Sequence, residues 1–252
     1  MSSQPRFVTS EVDLDRDWDE LMRAFWTSWK TPLQASGELT FPHLGTNTPE
    51  EEAAFNSMKK MLLNEAKNNP GSVRWLKCTD TKSARIAGAA CFKHEKEWPR
   101  PGANFTGCGF DPGSELQELS DSFYRQLLGW RLRIMKGEHI YGQSIFVLPD
   151  YRNAGVANQI LEYCADVADK LGLECFVEGT VFSTPVLMLQ GFIVIGWTNM
   201  IFTRRNPSRD WERLVHDIQS HPIGILWRPK MGKYVEGETV LPWTGKVREA
   251  KL

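Results

Sequence analysis

The chain has 252 residues, 41% apolar and 24% charged, an ordinary globular composition that excludes wholesale disorder. Thirty basic residues stand against 31 acidic ones, a net charge of -1, so no general affinity for nucleic acid or another polyanion follows. No apolar stretch approaches the roughly 18 residues of a membrane-spanning helix. The opening MSSQPRFVTSEVDLD lacks the apolar run of a signal peptide, which points to the cytoplasm.

The N-terminal third reads as two helices leading into two strands. Leu14, Trp18, Leu21, Met22, Phe25, Trp26 and Trp29 recur at helical spacing between 14 and 30. A turn-rich stretch with Pro32, Gly37, Pro42 and Gly45 follows. Thr48-Pro49-Glu50-Glu51 has the form of a capping box with proline at the first helical position. The helix it opens carries Phe55, Met58, Leu62 and Ala66 inward and stops at Asn69-Pro70-Gly71. Residues 72–78 and 86–93 are β-rich, and a Pro/Gly loop runs from Trp98 to Gly113. Ser114 to Gln117 is a second capping box, opening a helix that ends near Met135.

The segment from Tyr141 to Trp197 is the most informative. An apolar strand, 144–148, is stopped by Pro149. After Tyr151-Arg152-Asn153-Ala154-Gly155 a helix begins, with Val156, Ile160, Cys164 and Ala168 on one face and Gly172 closing it. A second strand covers Cys175 to Val177, a short helix runs from Ser183 to Gln190, and another strand starts at Phe192. This alternation implies βαβ crossovers and an α/β fold. Beyond Thr203 the chain holds one helix, 208–220, and apolar stretches that read as an ordered extension packed on the main domain. The five cysteines (Cys78, Cys91, Cys108, Cys164, Cys175) contain no C-x-x-C pair. They fit reduced, mostly buried thiols rather than disulfides or a zinc site, and no metal is expected.

The turn Arg152-Asn153-Ala154-Gly155-Val156-Ala157 joins a strand end to a helix start. Such a turn offers unpaired N–H groups and the positive end of a helix dipole, a site suited to a pyrophosphate. Gly155 lets the backbone approach the ligand, and Arg152 adds a formal charge. Neither a P-loop nor a dinucleotide G-x-G-x-x-G is present.

This turn, the lead-in Pro149-Asp150-Tyr151, the strand Phe176-Val177-Glu178, the short helix and Gly191-Phe192 together resemble the GNAT superfamily of N-acetyltransferases. The resemblance covers residues 5 to 202, and the inserted loop and helix and the tail look like those of the longer fungal-type members. It implies residues 1–202 as an acetyl-CoA-binding domain with a C-terminal extension, 203–252. The fold implied is a twisted central sheet, flanked by helices and splayed between the strand ending at Leu148 and the strand at Cys175. It further implies that Phe146, Val147 and Leu148 give backbone bonds to the pantetheine arm of acetyl-CoA. Arg152, Asn153, Ala154, Gly155, Val156 and Ala157 would cradle the pyrophosphate, and Ser183 would touch the cofactor.

The activity implied is acetyl transfer to an amine acceptor by direct attack, with a small molecule favoured over a protein. An aliphatic amine has a pKa of about 10 and must lose a proton before it attacks a thioester. Glu178, at the end of an apolar strand beside the splay, is the candidate base; the other reading is a carboxylate that orients a loop or binds a substrate cation. Relatives often place a proton-donating Tyr where this chain has Leu187. Water or a hydroxyl of Ser183, Thr184 or Tyr151 could serve instead, and a non-catalytic acyl-CoA binder stays open. His43 lies in the loop region where relatives bind the acceptor, though a solvated role suits it as well. Phe25, Trp26 and Trp29 could stack on an acceptor or simply fill the core.

Overall fold

The structure, a computed structural model, describes residues 5–99 and 109–247; Cys108 and part of the loop after Trp98 lie outside them. Strand β1 (Phe7–Glu11) and helices α1 (Trp18–Trp29), α2 (Ala35–Glu38) and α3 (Pro49–Asn68) come first, then strands β2 (Val73–Asp80) and β3 (Arg85–Glu95). Helix α4 (Glu115–Ile134) precedes β4 (His139–Val147), α5 (Val156–Leu171), β5 (Glu174–Gly179), α6 (Thr184–Met188) and β6 (Ile193–Trp197). The chain continues through α7 (Arg209–Ser220), β7 (Gly224–Arg228) and the small hairpin β8 (Val240–Leu241) and β9 (Lys246–Val247).

Seven strands form one mixed sheet in the order β1-β2-β3-β4-β5-β7-β6. The α5 crossover makes β4 and β5 parallel neighbours, while every other pair is antiparallel. The expected mixed α/β sheet flanked by helices is therefore present. The second crossover, through α6, does not bring β6 beside β5. Strand β7, drawn from the segment beyond 203, lies between them, and all five of its residues are buried. A run such as GILWR satisfies a strand buried on both faces, which is the position it takes.

The periodic helices bury the predicted stripes. Helices α1 and α3 cover one face of β2, β3 and β4 through Phe25, Trp26, Phe55 and Leu62 against Trp75 and Phe146. Helix α5 covers the opposite face through Ile160, Leu161 and Ala168. The end of helix α4 and the residue after it pack Ile134 and Met135 near Phe176 and Trp227, on the same side as α1. Ser114 and Ser208 cap their helices by accepting from the N–H groups of Gln117 and Trp211.

Thr48 does not cap α3, although the helix starts at Pro49 as expected. Glu51 instead turns inward, at 4% exposure, and accepts from Trp26 Nε1 (2.7 Å), Lys30 Nζ (2.9 Å) and the Asn47 N–H (2.6 Å). Burial alone would raise its pKa, but these bonds outweigh it and hold the carboxyl at about 2. The acidic run of α3 is thus partly structural, because Glu52 is also paired with Arg23.

Candidate functional site

The β4–β5 ladder runs only from His139↔Glu174 to Gly142↔Val177. Beyond that rung β4 continues to Val147 paired with β3 alone, while β5 continues to Gly179 paired with β7. A bulge at Gln143 falls where the two strands part: the β3 ladder passes from Phe92↔Gly142 to Cys91↔Ser144. Bulges bend the strand that holds them, so this one turns the end of β4 toward β3 and opens the sheet.

Alternation then decides which backbone groups face the opening. Leu148 donates to Ala87 O at 2.9 Å, and Phe146 O lies on the Gly88 side of its strand. Phe146 and Leu148 therefore turn their backbone toward β3, and Val147 between them turns toward the split. The Phe146 side chain is buried against Phe25, with centroids 5.4 Å apart.

The turn at the head of α5 is exposed from Arg152 to Gly155. Asn153 and Gly155 both take positive φ (59° and 84°), and no side chain caps the helix. A Cβ on Gly155 would meet nothing within 4 Å, so its backbone, not crowding, requires glycine there. Val156 and Ala157 begin a helix of 16 residues whose first N–H groups have no acceptor within the helix itself. The Arg152 guanidinium donates to the carbonyls of Val147 and Thr31, tying the end of β4 to the loop after α1. Ala154 is exposed within the same turn.

Glu178 lies across the split, on the face of β5 that Phe176 shares with α4. Both carboxylate oxygens are out of contact with solvent, and neither has a hydrogen-bond partner at ordinary geometry. Burial pushes its pKa up to about 7; the Arg131 charge, and then the Tyr141 hydroxyl, offset part of that rise. Burial, reinforced by Glu178 itself, pushes the Tyr141 phenol well above its usual value, so it remains a neutral hydroxyl. Ser144 Oγ on β4 is likewise buried without a partner. A buried carboxyl group that titrates near neutrality suits proton transfer.

The acetyltransferase (GNAT) family model matches residues 18–186. The chain belongs to the GNAT acetyltransferase family. No curated protein sequence matches it. Among solved structures it is similar to arylalkylamine N-acetyltransferase 2 from Aedes aegypti, with a TM-score of 0.57 at 13% identity over 89% of this chain and 99% of that one. A mosquito arylalkylamine N-acetyltransferase-like protein gives 0.57 at 13% identity over 88% and 98%. The C-terminal condensation domain of Ebony, in complex with beta-alanyl-dopamine, gives 0.58 at 13% identity over 88% and 97%. At these identities the likeness shows the GNAT fold.

Within that fold the remaining residues named from the sequence separate clearly. Ser183 precedes α6, half-buried, with its hydroxyl 3.2 Å from Thr180 O. Leu187 is 1% exposed in the core beneath α5. Thr184 Oγ1 is bonded to Thr180 O. Tyr151 packs edge-on to Phe7 with its hydroxyl 3.3 Å from Ser83, in the cluster under α5 and away from the Glu178 face. Trp26 and Phe25 are core residues; Trp29 is half-buried, with Nε1 buried and unpartnered. His43 is exposed in a turn at φ 61°. Cys78, Cys91, Cys164 and Cys175 are free thiols. Burial pushes Cys164 and Cys175 up to about 12, and Cys91 rises as well. The sequence reading missed Tyr141 and Arg131, whose effect on Glu178 depends on the β4–β5 register and on the packing of α4.

Proposed function

We propose that this GNAT protein transfers an acetyl group from acetyl-CoA to the amine of a small acceptor by direct attack, with Glu178 as the base. The observation that carries this reading is the Glu178 carboxyl, buried beside the split in the sheet and pushed up to about 7 by that burial. Val147 turns its N–H toward the split while its carbonyl accepts from Arg152, and the uncapped turn from Asn153 to Ala157 offers N–H groups suited to a pyrophosphate. Phe146 and Leu148 then act by fixing Val147 against β3, and Ser183 lines the mouth near the end of β5. Bound there, acetyl-CoA would supply an activated thioester.

Glu178 would accept a proton from the acceptor ammonium in its water-poor setting, where a base titrating near 7 is matched to neutral solution. Holding amine and thioester together in the split supplies rate through orientation. The amines named for the mosquito proteins and the Ebony complex support a small amine over a protein. The inserted α4 and the tail support the likeness to longer fungal-type members, and the cytoplasm remains the proposed location.

The buried Leu187 favours a second reading, an acyl-CoA binder without turnover. Release of free CoA thiol, measured with arylalkylamines, polyamines and amino acids, separates the two. Turnover with at least one amine, lost in Glu178→Gln, is expected. Acetyl-CoA binding without thiol release from any amine would overturn the enzyme reading.

A further inference from the structure

The segment between α1 and α3 crosses the open end of the split. It starts at Thr31, whose carbonyl accepts from Arg152 just beyond the end of β4. Farther on, Gln34 and Ser36 line one small cleft with Thr180 and Val181, the residues that follow β5. Ala35 and Leu39 share an apolar cluster with Phe123 of α4, Ile218 of α7 and Ile223, which precedes the β7 residue paired with Gly179. The segment therefore runs from the end of β4 to the end of β5, on the face of the sheet that carries α4 and Glu178.

Helix α7 grips this segment. Ala35 is 1% exposed, and its N–H donates to Asp217 Oδ2 at 2.7 Å. As the first N–H of α2 it has no acceptor within the helix, so loss of Asp217 would leave a buried donor unpaired. One turn back on α7, Arg213 Nη1 and Nη2 donate to Glu38 Oε1 and Oε2, each at 2.9 Å. Asp217 Oδ1 also lies 3.1 Å from His221 Nδ1, and Arg213 Nε lies 3.9 Å from Asp210. Helix α4 holds the end of the segment as well: Ser120 Oγ donates to Leu39 O at 2.6 Å, and the Tyr124 hydroxyl to Thr40 Oγ1 at 2.9 Å.

We propose that Asp217 and Arg213 are positioning residues for the acceptor side of the site, holding residues 31–40 as a strap across the open end of the split. The strap then limits the breadth of an amine that approaches Glu178 along that face. This deepens the reading of Glu178 as the base and rests on it. The Glu38 pair faces solvent and is the weaker clamp, so Asp217, bonded to a buried N–H, carries most of the hold.

The test is hydrogen exchange, read by mass spectrometry on the whole chain, in wild type, Asp217→Ala and Asp217→Asn. The amides of Glu38, Leu39 and Phe41 are bonded within the segment, to Gln34, Ala35 and Gly37, and so report its opening. Asp217→Ala should speed their exchange about tenfold, the effect of unpairing one buried N–H. Asp217→Asn keeps an acceptor oxygen and should exchange like wild type, which assigns the effect to the hydrogen bond rather than to charge. The second readout is kcat/KM for a short peptide with a free amino terminus, taken relative to phenylethylamine. That ratio should rise in Asp217→Ala and keep its wild-type value in Asp217→Asn. Unchanged exchange in Asp217→Ala, equal acceleration in both variants, or a loosened strap with an unchanged ratio would overturn the proposal. If Asp217→Ala does not fold, Arg213→Ala is read on the same amides; it should speed them by a smaller factor, and no change would count against the strap. Exchange needs no acceptor, so a chain whose strap loosens as expected but which acetylates no amine removes the catalytic reading and leaves the hold of Asp217 on the segment in place.

Discussion

Gly142 and Val177 form the last rung between β4 and β5, and a methyl group on Gly142 would overlap Val177 Cγ2. Glycine at this rung lets the strands stay paired up to the point where they part, and the bulge at Gln143 turns β4 aside immediately afterwards. The split thus begins at a defined residue.

Gly142→Ala should accordingly destabilise the fold by about 1–3 kcal/mol, the usual cost of forcing extra volume into packed structure. Urea unfolding of the single variant and of Gly142→Ala with Val177→Ala checks this. Removing the Val177 methyl groups should recover most of the loss, and a neutral single variant would show that the rung has slack.

The pyrophosphate site proposed at the head of α5 predicts a ligand effect. With acetyl-CoA at about 100 times its dissociation constant, wild type should gain roughly 2.7 kcal/mol, or about 5–10 °C in Tm. Gly155→Glu places a side chain at φ 84° and a negative charge against the anion site, so the gain should vanish. An equal shift in both proteins would remove this turn from the cofactor site.

How much of this was readable in advance follows from where each signal resides. Helices α3, α4, α5 and α7 announce themselves through caps and apolar periodicity, which are local. Strand β1 is a five-residue edge strand and α2 a single turn, too short for either period to register. The head of α5 was legible because glycine at a strand-to-helix turn is a backbone requirement. The surroundings of Glu178 were not, because Arg131 and Tyr141 reach it through a helix crossing and a strand register that no short window contains. Leu187 could be read as a departure from the family pattern, but only the core under α5 accounts for it.

Glu178 should destabilise the protein above neutral pH. Its folded pKa, about 7, lies above the ordinary 4.5, so the unfolded chain releases this proton first and stability falls as pH rises from 4.5 through 7. Glu178→Gln should then be more stable than wild type at pH 8, by up to about 3 kcal/mol, while losing acetyl transfer. Equal stability at pH 8 would mean that the carboxylate is solvated there.

His139 acts in the opposite sense. Burial lowers it from 6.5 to about 4, so its contribution is complete above 6.5 and is lost as pH falls toward 4, by up to about 3 kcal/mol. The two slopes oppose each other between about 4.5 and 6.5, which should leave wild-type stability nearly flat there. Denaturant midpoints of Glu178→Gln across that range should instead rise with pH, exposing the histidine slope.

The place of β7 also governs the order in which the molecule can be completed. Strand β6 pairs with β7 alone, and β5 meets β7 along its edge away from the split. A growing chain that has not yet reached Gly224 therefore presents two strand edges with a vacant slot between them. That slot can admit a strand from another copy as readily as its own. Shortening the chain ahead of β7 would not trim an appendage; it would leave the centre of the sheet unfinished and adhesive.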